Sequence, residues 1–326
     1  MKRIQIGCSA LVLVMATACA DAQPHSGRYP IPATFADSLF TATQNLSGPP
    51  AGANHWNCTP SQEHPRPVVL LHGIFGNMAD NMSGISPFLA NNGYCVFAMT
   101  YGAEPDSIFG GVHDIRRSAL DEFGPFVNRV LQSTHAAQID VVGHSEGSVM
   151  PRYWMRFGDS STTYGAPKIH TLIGVAPASN GVDLGGLATM LQRQEPWRSM
   201  LHNLGSNGCG ACEQLLSKSE FFNALNSYEL QPGQRFTGPA QPAVNYLMLA
   251  TSWDNFLVPY QLGFIDHPQF TNTKVQQHCP IDQADHLSIV FDPVAYDLIA
   301  NTLDPEHPRP VRCVPTQPAF GSVGQD

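Results

Sequence analysis

Five runs of mostly apolar residues punctuate the chain, at 68–71, 94–99, 139–142, 169–176 and 244–250. None shows the strict apolar–polar alternation of a half-exposed sheet, so each reads as a strand buried on both faces. Between them the period lengthens to that of a helix. Residues 112–134 place Ile115, Ala119, Phe123, Phe126, Val127 and Val130 on one face, with a kink expected at Pro125, which lacks a backbone donor. Shorter helical stretches are expected at 85–91, 148–156, 219–226 and 293–303. Pro151 falls in the first turn of the 148–156 helix, where a missing N–H costs little. Strands alternating with helices predict an α/β fold: a mostly parallel sheet with helices on both faces.

Two segments break the pattern. Residues 21–67 are rich in Pro, Ser, Asn and Gly and read as an arm draped over the domain and pinned at Cys58. Residues 180–242 are irregular and long for a simple crossover. They are read either as an insertion that caps the site or as a surface excursion. The Gly185-Gly186 pair within them lacks dinucleotide-binding spacing. At the start, Lys2 and Arg3 precede an apolar stretch, 4–15, and then small residues, 16–22. This pattern predicts a secretory signal over 1–22, cut near Ala20 or Ala22, with 23–326 forming one domain. Lipoprotein anchoring through Cys19 ranks second, because Ala16 stands where such signals usually carry Leu. The expected location is extracellular.

Composition narrows the partners. With a net charge of −9, the chain has no basic surplus to displace counterions from nucleic acid. Beyond the signal, six cysteines remain, Cys58, Cys95, Cys209, Cys212, Cys279 and Cys313, an even number that predicts disulfides in an exported chain. Pairing nearest neighbours would join Cys58 to Cys95, Cys209 to Cys212 and Cys279 to Cys313. Cys209 and Cys212 have the spacing of a redox or zinc pair, but no second pair stands at zinc spacing, so a structural bridge is expected. No metal constellation or phosphate loop is present, and neither metal nor cofactor is expected.

The chemistry converges on Gly143-His144-Ser145-Glu146-Gly147, which follows the apolar run at 139–142 and precedes the 148–156 helix. A serine between two glycines at a strand-to-helix turn is the pattern of a nucleophile elbow. A serine hydroxyl is a poor nucleophile at neutral pH, so it needs a base, and the base needs an acid to orient it. Asp254, just after the 244–250 run, is the expected acid, with Asp266 as competitor. His286, before the last helix, is the expected base, with His278 as competitor. His144 is expected to pack beneath the elbow. The oxyanion should find one donor in the N–H of Glu146 and another in the loop after the first strand, at Ile74 or Phe75.

Pro67-Val68-Val69-Leu70-Leu71-His72-Gly73, the elbow with Met150-Pro151-Arg152-Tyr153, Asp254 with Val258-Pro259-Tyr260, and Asp285-His286-Leu287 together resemble the class 2 bacterial lipases, most closely the larger secreted actinobacterial type. The likeness runs from about residue 55 to 303. It implies an α/β-hydrolase fold and ester hydrolysis through an acyl-enzyme, with Ser145 as nucleophile, Asp254 as acid, His286 as base, and Ile74 and Glu146 as backbone donors. It also implies an ester or lipid substrate, transient contact with a lipid interface, and a monomer. A short-chain esterase, a polyester hydrolase or an acyltransferase would use the same machinery, and a catalytically silent binding module is the non-enzyme alternative. Two features depart from the family pattern. The 180–242 region has no counterpart in its small members, and Glu146 puts a carboxyl group where an uncharged residue is common.

Overall fold

Six strands pair side by side, all parallel, in the order β2-β1-β3-β4-β5-β6. They are β1 Val68–Leu71, β2 Val96–Met99, β3 Ile139–His144, β4 Ile169–Val175, β5 Asn245–Ala250 and β6 Phe270–Lys274. The computed structural model describes residues 28–43, 48–104, 107–158, 167–183, 199, 208–230 and 236–319. Side chains alternate across a strand, which sorts each apolar run between two cores. Val69 and Leu71 join Phe97, Phe123, Val127 and Trp154 on one face, while Val68 and Leu70 join Met82, Leu89, Val294 and Ile299 on the other. Helices therefore cover both faces, as continuous apolar runs require.

Strand order decides where a site can form. From β1 the chain crosses to β2 on one side, then returns to β3 on the other side of β1. The loops leaving the carboxyl ends of β1 and β3 therefore diverge and open a crevice, the place where open α/β sheets bind ligands.

Several elements differ from the sequence expectation. The long helix begins at Ile115 rather than 112, because the Asp114 side chain accepts the N–H groups of Arg116 and Arg117 and caps it there. The kink expected at Pro125 takes the form of a π-helical turn, Ser118–Phe123, leading into Gly124–Thr134. The wider turn, in which Gly124 N–H reaches Ala119 O, carries the chain up to the residue that cannot donate. The arm contains a helix, Phe35–Thr43, and the sheet gains β6, in which only Phe270 is buried. An edge strand needs no apolar run, so β6 left no pattern to read.

Part of the 180–242 region is described, and it is clamped to the elbow helix by two buried arginines. Arg152 Nη2 donates to Asn226 Oδ1 (2.5 Å), and Arg156 donates to the carbonyls of Leu225, Ser227 and Gly238. The rest of the expected cap, Gly185-Gly186 included, and the expected signal at 1–22 lie outside the described residues. Cysteines pair as Cys58–Cys95, Cys209–Cys212 and Cys279–Cys313, with Cα–Cα distances of 5.8, 5.3 and 4.9 Å. Among the described residues no helix is long and apolar enough to cross a membrane.

Candidate active site

Ser145 stands at the carboxyl end of β3 with φ of +51°, in the left-handed region that non-glycine residues rarely occupy. The flanking glycines make this turn feasible. A Cβ on Gly143 would collide with the Gly147 backbone, and one on Gly147 would lie 2.5 Å from Leu71 O. The elbow is thus packed backbone to backbone against the end of β1. A short helical turn, Ser145–Ser148, follows the strand directly.

Asp254 and His286 meet from loops after β5 and before the last helix, with His286 Nδ1 donating to Asp254 Oδ2 at 2.8 Å. The other carboxylate oxygen, Oδ1, accepts the N–H groups of Phe256 and Leu257 at 2.9 and 2.7 Å. Both side chains are buried, and the loops are tied together by Thr251 Oγ1 donating to Ala284 O. His144, expected beneath the elbow, does more than pack there. Its ring stands between two acceptors, His286 O at 2.8 Å from Nε2 and Asn81 Oδ1 at 2.9 Å from Nδ1, the latter also accepting Gly73 N–H. The single proton of the neutral ring, placed on Nε2, goes to His286 O, and the Asn81 side is a packing contact. One imidazole thus links the elbow, the histidine loop and the loop after β1. No Ser145 Oγ–His286 hydrogen bond forms among the described residues; without substrate such bonds are often long and tighten on binding.

The loop after β1 runs directly against the nucleophile, and a Cβ on Gly73 would be 3.1 Å from Ser145 Cβ. Phe75 N–H is engaged with Gly110 O at 2.8 Å and Gly76 N–H with Gly73 O, whereas Ile74 N–H makes no hydrogen bond among the described residues. Of the two donors the sequence allowed, Ile74 is the one available. A strap, 110–112, braces this loop: Gly110 N–H donates to Gly76 O and Gly111 N–H to Tyr101 O.

Burial sets the electrostatics. His72 is pushed down to about 4, and its tautomer follows from its partners. Tyr101 N–H donates to Nε2, so the proton sits on Nδ1 and goes to Gly73 O. His144 is lowered well below its ordinary value by burial and by the neighbouring His286. Burial pushes Glu146 well above the usual carboxyl range. The alternative candidates, Asp266 and His278, are both exposed, and His278 contacts Thr273 Oγ1. Among the described residues no cluster of three or more His, Cys, Asp or Glu side chains could hold a metal ion.

Sequence reasoning missed Asn81, Tyr101, Arg152 and Arg156 as parts of this frame. Each acts across a long sequence separation; Arg152 stands in the Met150-Pro151-Arg152-Tyr153 stretch behind the elbow, but nothing local shows what its guanidinium holds.

The sequence profile of the class 2 lipases matches residues 65–296. No curated protein matches the chain. Among solved structures, lipase B from Aspergillus fumigatus superposes with a TM-score of 0.57 at 15% identity, covering 83% of this chain and 58% of that one. This chain thus spans less than two thirds of that protein. An esterase from Pyrococcus furiosus gives a TM-score of 0.44 at 16% identity, covering 73% of this chain and 81% of that one.

Proposed function

The chain belongs to the class 2 lipase family, and from that premise we propose that it is a secreted serine hydrolase of carboxylic esters, acylglycerols or related lipids. The observation that carries this reading is the 2.8 Å Asp254–His286 pair, braced through His144 against the elbow that presents Ser145. Ser145 Oγ attacks the ester carbonyl while His286 Nε2 takes its proton. Asp254 keeps the histidine proton on Nδ1, so that Nε2 is free to accept. The oxyanion rests on the N–H groups of Ile74 and Glu146. His286 then returns the proton to the leaving alcohol, and water repeats the sequence on the acyl-enzyme.

Exposed apolar side chains stand on the surrounding loops: Phe75 beside Ile74, Ile108 and Phe109 before the strap, and Phe256, whose ring lies 5.0 Å from His286. Such a rim suits an apolar acyl chain or a lipid surface. Export is supported by the charged and apolar pattern of 1–22 and by three disulfides.

The test is Ser145→Ala. It is expected to lower ester turnover by at least about 10⁴-fold and to abolish fluorophosphonate labelling, with melting unchanged. Labelling or turnover that survives would refute the assignment. Rates on p-nitrophenyl esters from acetyl to palmitoyl, below and above substrate aggregation, separate a lipase from a soluble esterase.

A further inference from the structure

Glu146 directly follows the nucleophile, yet the chemistry above uses only its backbone. Its side chain is fully buried, and neither carboxyl oxygen has a hydrogen-bond partner among the described residues. Among the described residues no cation acts on it; the one polar side chain that does is the Tyr101 hydroxyl, whose proton is already committed to His72 O at 2.8 Å.

Its position is specific. A Cβ built on Gly111 would sit 3.2 Å from Glu146 Oε2, 3.0 Å from Ile74 Cα and 3.3 Å from Gly73 O. The carboxyl group therefore fills the space where the strap crosses the loop that carries the Ile74 donor. Gly111 has φ of +66°, and a Cβ on Gly110 would press on His72, Tyr101 O and Gly76 O. Neither strap position has room for a side chain of its own, so Glu146 supplies the packing from below.

We propose that Glu146 is a positioning residue that works as an uncharged carboxylic acid, seating the 110–111 strap and the Ile74 donor while keeping negative charge away from the oxyanion site. This rests on the ester-hydrolase reading of Ser145. Burying an unpaired anion is far less favourable than burying the neutral acid, which holds the proton in place. The titratable groups around it offer no compensation. His72 stacks on Tyr101 at 4.3 Å and is held neutral at neutral pH by its own burial. Glu122 lies behind Tyr101, where it accepts Gly102 N–H, and on the elbow His144 is also held neutral. An anion here would oppose the oxyanion forming at the same residue's N–H.

The test combines infrared spectroscopy with kinetics on wild type, E146Q and E146A. The difference spectrum of wild type minus E146Q at pH 7 should contain the carbonyl stretch of a protonated carboxyl group. With p-nitrophenyl butyrate, kcat of the Gln variant should exceed that of the Ala variant by about tenfold or more at similar KM, because neutral shape is what matters. Any alkaline pH that bleaches the wild-type band should lower wild-type kcat, relative to its own pH 7 value, and spare E146Q. A carboxylate signature at pH 7, equal kcat in the Gln and Ala variants, or kcat that survives bleaching would each overturn the proposal. If E146A does not fold, the spectrum and the paired pH profiles still decide. A wild-type protein that fails to label at Ser145 would instead remove the hydrolase reading and leave the infrared result standing.

Discussion

Asp254→Asn exchanges one oxygen for an NH2 group, and the hydrogen bonds around Asp254 determine which one. Among the described residues, Oδ1 receives two backbone donors, Phe256 N–H and Leu257 N–H, and Oδ2 receives His286 Nδ1. If the amide nitrogen took the Oδ1 position, two backbone N–H groups would lose this acceptor, at about 1–3 kcal/mol for the buried Leu257 N–H and less for the part-buried Phe256 N–H. The cheaper arrangement keeps the oxygen on the backbone and turns the NH2 toward His286. His286 Nδ1 must then accept, so its proton moves to Nε2, the nitrogen that should take the proton from Ser145. The expected result is a fall of about 10³–10⁴ in kcat/KM, about 4–5.5 kcal/mol of transition-state stabilisation, with the fold retained. Initial rates on p-nitrophenyl butyrate, fluorophosphonate labelling rates and a thermal melt check each part. Activity within tenfold of wild type, with unchanged melting, would refute the tautomer argument and the role of Asp254 with it. Asp266→Asn and His278→Gln serve as controls, since both residues are exposed and should leave the rate unchanged.

Other parts of the frame make their own predictions. Loop-closure entropy assigns about 4 kcal/mol to each of Cys58–Cys95 and Cys279–Cys313, whose ends are 37 and 34 residues apart, and about 2 kcal/mol to Cys209–Cys212, only 3 apart. Denaturant titrations of the paired Cys→Ala variants should reproduce that order, and a Cys209–Cys212 loss as large as the others would contradict it. His72, held neutral down to about pH 4, binds fewer protons folded than unfolded between there and its ordinary 6.5. Its contribution is therefore lost as pH falls through that window, by about 3 kcal/mol in all, and His72→Gln should flatten the fall in unfolding free energy between pH 7 and 4.5. An unchanged slope would place the proton elsewhere. Gly143→Ala drives a methyl into the Gly147 backbone and should cost more than about 4 kcal/mol, seen as insoluble expression or lost cooperative melting. A soluble variant with the wild-type melt would mean that the elbow yields more easily than its packing implies.

What the sequence determined by itself is what local backbone chemistry writes down. Apolar runs named β1 to β5 because a strand covered on both faces has no polar side to show. Gly143 and Gly147 marked the elbow because only residues without a Cβ fit between β1 and the turn. Asp254 and His286 were legible as one choice among two for each role, since chain order and the ends of strands narrow the field. Only the tertiary structure shows which of these side chains meet. It joins Asp254 to His286 across 32 residues, and it leaves Asp266 and His278 in solvent. It also turned His144 into a strut, 142 residues in sequence from the carbonyl it holds. The same applies to β6, whose exposed edge carries no apolar signature, and to Arg152 and Arg156, whose partners at Asn226, Leu225, Ser227 and Gly238 lie 69 or more residues away in sequence. Glu146 makes the difference plainest. In the sequence it is a carboxyl group beside a candidate nucleophile, and in the fold it is a buried acid with no cation acting on it among the described residues. Periodicity and special glycines are properties of neighbouring residues, whereas burial and long-range hydrogen bonds exist only once distant segments meet.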